Sequence, residues 1–185
     1  MERKEYGNDN PTINRKKSKK KQNNILKLVA VLAVAIVIVV FAIINSMMSG
    51  YEKPVHNYYK ALNGKDAKTF VKIFPEKMEK AESSEKKIDT WAKVMDARRE
   101  SHEKEYGKNI EIKHKIIEKK KYSEKELEES KAEVDEYLKG YYDEVIIQGG
   151  YDVAVRVTVS GDKNKGSFYT IWKVYKVNDD WFMMY

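Results

Sequence analysis

Residues 28–44, LVAVLAVAIVIVVFAII, form an unbroken run of seventeen apolar residues, and no charge follows until Glu52. Thirteen of them are Leu, Ile, Val or Phe. At about −0.3 to −0.6 kcal/mol each on an insertion scale, these total roughly −4 to −8 kcal/mol. Extending the stretch to Gly50 gives a helix roughly 34 Å long at about 1.5 Å per residue, enough for a hydrocarbon core of about 30 Å with some tilt. The run predicts a transmembrane helix over 28–50. A helix buried in a soluble core would show a polar stripe, and this one has none over five turns. A cleaved signal peptide has a shorter apolar run and a small-x-small cleavage site. Here Ser46, Ser49 and Gly50 are preceded two positions earlier by Ile44, Met47 and Met48. Lipoprotein processing needs a cysteine, and the chain has none.

Charge is distributed unevenly about this run. Residues 1–27 carry nine Lys/Arg against three Asp/Glu, a net +6, and the other 27 basic and 26 acidic residues leave +1 for the rest. Lys and Arg beside a span are retained on the cytoplasmic side, so residues 1–27 are expected to be a cytoplasmic tail and residues 51–185 to be exported. Lys16, Lys17, Lys19, Lys20, Lys21 and Lys27 then serve as a topology signal, and would attract anionic lipid headgroups at about 1 kcal/mol each. No aromatic stacking platform interleaves with them, which argues against nucleic acid.

The 135 residues beyond the span suit one domain, and without cysteine its folding rests on apolar burial alone. Val55, Tyr58, Tyr59 and Leu62 recur at helical spacing after Pro54, and Asn63-Gly64 stops that helix. Asp66 caps a second helix that Pro75 closes. A longer helix from about Ser84 to Tyr106 aligns Ile88, Trp91, Met95, His102 and Tyr106, and Gly107 ends it. NIEIKHKIIE alternates as a strand with Ile110, Ile112, His114 and Ile116 on one face. Ser123 and Glu126 form a capping box for a charged helix whose buried side is Leu127, Val134, Leu138 and Tyr141, with Lys131/Asp135 and Asp135/Lys139 as surface pairs. In YDVAVRVTVS the residues Val153, Val155, Val157 and Val159 share a face. GDKNKG turns into SFYTIWKVYKV, and pairing Ser160 with Ser167 sets Trp172 opposite Val155. A last strand, WFMMY, buries either Trp181/Met183/Tyr185 or Phe182/Met184.

The expected fold is therefore α+β: an N-terminal transmembrane helix, then one domain of helices packed on a curved antiparallel sheet. The pattern YYKALNGKDAKTFVKIFP, a long helix and a meander ending KVNDDWFMMY resemble the exported nuclear-transport-factor-2-like (cystatin-like cone) domains of single-pass Gram-positive envelope proteins. The charged helix at 123–139 is an addition to that pattern. The resemblance implies a sheet wrapped around a helix into a cone, a scaffold that hosts enzymes, ligand binders and assembly subunits alike. Among these are single-pass inner-membrane scaffold subunits resembling those of type IV secretion.

Chemistry inside such a cone would need a carboxylate or His as general base. Of His56, His102 and His114, the last is the best candidate because it shares the apolar face of its strand; a hydrogen-bonded core or rim histidine is the plainer reading. His114 and Trp172 are thus the candidate pocket residues. His102 and His114 are expected at different heights, which disfavours a shared metal. Asp162-Lys163-Asn164-Lys165-Gly166 imitates a calcium loop but lacks its fifth and twelfth ligands, so it reads as a hairpin loop. No phosphate-cradling glycine loop, G-x-S-x-G or H-E-x-x-H occurs. No catalytic residue, cofactor or metal is assigned. The expectation is a membrane-anchored extracytoplasmic module that binds an envelope protein, a polymer or a small ligand. An isomerase- or dehydratase-like cone enzyme, or an assembly subunit, is the alternative.

Overall fold

A computed structural model describes residues 50–185. The expected tail over 1–27 and, but for Gly50, the expected span over 28–50 lie outside them. Among the described residues no helix is long and apolar enough to cross a membrane. Helix α1 (Glu52–Gly64) buries Val55, Tyr58, Tyr59 and Leu62, the four residues its periodicity singles out. Its left-handed closing residue is Lys65, at φ 53°, rather than Gly64. Asp66 then accepts hydrogen bonds from the Lys68 and Thr69 amides and starts α2 (Ala67–Phe70), which tightens into a 3-10 turn over Val71–Ile73. That helical run stops before Pro75, with Phe74 already extended, as expected. The fixed φ of Pro75 precedes α3 (Glu76–Glu82), a short helix that periodicity does not reveal.

Helix α4 (Glu85–Tyr106) is the longest among the described residues, and it fully buries only Met95, Arg99 and Tyr106. Gly107 ends it at φ 92°, a conformation that suits glycine. Strand β1 (Glu111–Lys121) follows, then α5 (Glu124–Tyr137), started by the reciprocal Ser123/Glu126 capping box. The remaining strands are β2 (Ile147–Ser160), β3 (Lys165–Val177) and β4 (Asp180–Met183). The four strands lie in chain order, all antiparallel. The domain is therefore α+β, with five helices packed on a four-stranded antiparallel sheet.

The β2–β3 hairpin corrects one expectation. Ser160 pairs with Lys165, so the turn is Gly161–Asn164 and every partner is displaced by two residues. Trp172 faces Val153 and not Val155, but an even shift keeps all side chains on their expected faces. The reason is the loop's docking onto the end of α4. The Tyr106 carbonyl accepts from both the Lys163 and Asn164 amides, and the Lys108 amide donates to Asp162 at 2.7 Å. A Cβ on Gly161 would lie 2.3 Å from the Tyr106 carbonyl oxygen, so glycine is required there. The segment that imitates a calcium loop is this clamp.

Val153, Val155, Val157 and Val159 are all buried under α1 and α4. At the β4 end, both sheet faces are covered. Met183 lies opposite Val174 on the valine face, while Phe182 lies opposite Tyr175 on the other, and both are fully buried. Phe182 stacks on Tyr137 of α5, with ring centroids 6.0 Å apart. This places the charged helix: it covers the second sheet face through Val134, Tyr137 and Leu138. Its ion pairs include Lys125–Glu129, Lys139–Glu136 and Lys173–Glu133, in place of the two expected from Asp135.

Candidate functional site

The two candidate pocket residues meet through a third. His114, on β1, stacks on the Tyr59 ring at 4.7 Å between centroids and 18° between planes. The Trp172 indole N–H, on β3, donates to the Tyr59 hydroxyl at 3.0 Å. Tyr59 can do this because α1 lies across the valine face, where the spacing that buries Tyr59 also carries His56 toward β1. His56 Nδ1 lies 3.3 Å from His114 Nε2, so one imidazole N–H donates to the lone pair of the other.

Burial disfavours a charge on either histidine. Burial, reinforced by the neighbouring His56, pushes the His114 pKa down to about 4. Burial and the Lys60 ammonium also hold His56 below its ordinary value. Both rings are accordingly neutral at pH 7. Burial pushes the Tyr59 hydroxyl up to about 12, which keeps it a hydrogen-bonding phenol and not a base.

His102 stands elsewhere. It stacks on Phe168 of β3 at 5.9 Å. His114 pairs with Val157 and Val157 with Phe168, so the two histidines share a cross-strand row instead of sitting at different heights. His102 reaches that row from α4, over β3, and two strand spacings, roughly 10 Å, separate β3 from β1. Among the described residues no group of three His, Cys, Asp or Glu side chains could hold a metal.

Beside Tyr59 the space between helices and sheet is filled by rings. Tyr58 lies 4.9 Å from Trp172, and Phe70 lies 5.0 Å from Trp91 and 5.1 Å from Tyr185. Surface clefts on the described residues include ones of about 350, 370 and 440 Å³, and neither His114 nor Trp172 lines these three.

Two buried charges escaped the sequence reading. Arg99 of α4, 9 % exposed, donates to the carbonyls of Leu62 and Asn63 at the end of α1 and to that of Ile110 before β1. It thereby satisfies helix-terminal acceptors that would otherwise be orphaned. Glu82, 4 % exposed, accepts from Lys87, the Trp91 indole and the Tyr141 hydroxyl. Burial alone would raise its pKa, but those three donors outweigh burial and hold it below the usual range. Glu82 is saturated by structural partners, whereas the buried Arg99 Nε makes no hydrogen bond and has only the Glu103 carboxylate, 3.3 Å away, beside it. Arg99 follows Met95 by one helical turn, which is the one sequence signal that points it inward.

No protein family, curated protein or solved structure matched this chain.

Proposed function

We propose that this protein is a membrane-anchored, extracytoplasmic, non-catalytic binding or scaffold module of a bacterial cell envelope. The anchor is residues 28–50, with the +6 tail held in the cytosol next to anionic lipid, and residues 51–185 act outside the membrane as an envelope-facing domain. The resemblance to nuclear-transport-factor-2-like domains agrees with this layout and leaves the activity open.

The observation that carries the non-catalytic part is the engagement of His114 and Trp172 with Tyr59 inside a ring cluster. Binding is supported by β3, which exposes Tyr169 and Ile171 on the sheet face away from α1 and α4, beyond the part that α5 covers. Large apolar side chains gathered on a surface mark interaction sites.

Two readouts test this reading. Protease added to intact protoplasts should digest residues 51–185 and spare the tail; digestion only after lysis would refute the topology. Affinity capture of the full chain from membranes should retain an envelope partner, and Ile171→Lys should release it. Undiminished capture by that variant would remove β3 as the binding surface.

The enzyme reading keeps one favourable observation, the neutral His56–His114 pair. It would gain if His114→Gln folded normally and yet behaved as a deletion.

A further inference from the structure

Strand β3 has a bare edge. β4 pairs with it only between Val174 and Val177, and the Met184 amide donates to the Lys173 carbonyl. Along residues 166–172, among the described residues, nothing pairs with the side of β3 that faces away from β2. This stretch, GSFYTIW, carries no charge. Its aromatic and β-branched residues favour a strand, and Tyr169 and Ile171 are 68 % and 66 % exposed. The other edge of the same sheet shows the contrast. β1 carries Lys113, Lys115, Lys119, Lys120 and Lys121, the charges that natural edge strands use against pairing. One edge of this sheet is protected, and the other is not.

We propose that the bare edge of β3 pairs antiparallel with β3 of a second copy of this chain, across a two-fold axis at Thr170. The side-chain order selects this occupant and this register. With Thr170 on the axis, Tyr169 faces the partner subunit's Ile171, and Ile171 faces the partner subunit's Tyr169. On the helix side, Phe168 faces the partner subunit's Trp172. Each is an aromatic–aliphatic or aromatic–aromatic pair of the kind that stabilises antiparallel strands. Lys173 then falls opposite the partner subunit's Ser167, so no two lysines oppose each other. Moving the axis to Tyr169 would set Lys165 against the partner subunit's Lys173, a like-charge pair that costs stability. A two-fold interface needs a self-complementary patch, and this stretch is one. The proposal rests on the reading of this domain as a binding module and names one partner for it.

The chain has no cysteine, so a single introduced thiol reports pairing without background. In this register the two Thr170 Cβ atoms lie about 4.5–5.5 Å apart, a small adjustment from the roughly 3.5–4.5 Å of a disulfide. The full chain carrying Thr170→Cys, oxidised in membranes with copper phenanthroline, should run mainly as a covalent homodimer. Lys115→Cys, on the protected edge, should stay monomeric. Adding Ile171→Lys to Thr170→Cys puts a charge against each Tyr169 at an exposed position and should cut the dimer at least tenfold. The proposal is overturned by a monomer from Thr170→Cys alone, by equal dimer from Lys115→Cys, by a dimer that Ile171→Lys leaves intact, or by an adduct with a different protein. That last result, or loss of the dimer while Ile171→Lys still releases an envelope partner, would leave the binding-module reading standing. Loss of both would remove both.

Discussion

His56 Nδ1 and His114 Nε2 lie 3.3 Å apart across the α1–β1 junction, so the two rings share one hydrogen bond and have no room for two protons between them. The groups shown to act on the pair are Tyr59, stacked on His114, and Lys60, whose charge opposes protonation of His56. Both histidines have pKa values below the ordinary 6.5, that of His114 at about 4. A histidine whose folded pKa is depressed stabilises the fold fully above its unfolded value. That stability is lost as pH falls toward the folded value, because the unfolded chain takes up the proton first. Urea melts should therefore show stability falling between pH 6.5 and about 4. His114→Gln should flatten that dependence. A stability independent of pH in this window would mean the rings are solvated.

Arg99 supplies the second prediction. Arg99→Met keeps the aliphatic stem in place but strips three carbonyls, those of Leu62, Asn63 and Ile110, of their charged donor. Hydrogen bonds to charged groups are worth about 1.5–3 kcal/mol each, although only part is lost where water can replace the donor. A net loss of roughly 2–4 kcal/mol is expected by denaturant titration. The variant should also speed amide exchange at the end of α1, and a loss below about 1 kcal/mol would mean that Arg99 is not the clamp.

How much of this could be read in the sequence depends on whether the signal was periodic. The valines of β2, the helical spacing of α1 and the Ser123/Glu126 box each repeat a local rule, and each appears where that rule puts it. The hairpin register does not follow from such a rule, because docking of Gly161–Asn164 on the Tyr106 carbonyl fixes it from a distant element. Arg99 and Glu82 are hidden for the same reason: their partners come from elements that no spacing connects to them. The candidate site was half visible. His114 and Trp172 were found as inward-facing members of their strands, but Tyr59, which joins them, and His56, which pairs with His114, belong to a helix whose placement over the sheet is a tertiary fact.

A third expectation separates binding from catalysis. A general base contributes about 10²–10⁴-fold to a rate, so an enzyme that depended on His114 would fail with His114→Gln. Glutamine can still hydrogen-bond His56 across the same gap. The folded variant, present at normal abundance, should complement a deletion at near-wild-type level. A null phenotype with normal abundance would instead favour the enzyme reading.

The last prediction compares two aromatics three residues apart on β3. Trp172 faces the helices, opposite Val153, is half-buried, and spends its indole N–H on Tyr59. Tyr169 faces outward and is mostly exposed. Truncating a large aromatic in a full core costs about 3–5 kcal/mol, and the partial burial of Trp172 brings Trp172→Ala to roughly 2–3 kcal/mol. That change also leaves the Tyr59 hydroxyl without its donor, so Trp172→Phe should recover only part of the loss. Tyr169→Ala removes no core contact and should stay within about 0.5 kcal/mol, as surface changes do. Melts of the two variants side by side check both values. If Tyr169→Ala proved as costly as Trp172→Ala, the outer face of β3 would be covered within the chain, and it could not be the free surface on which partner binding and β3 pairing depend.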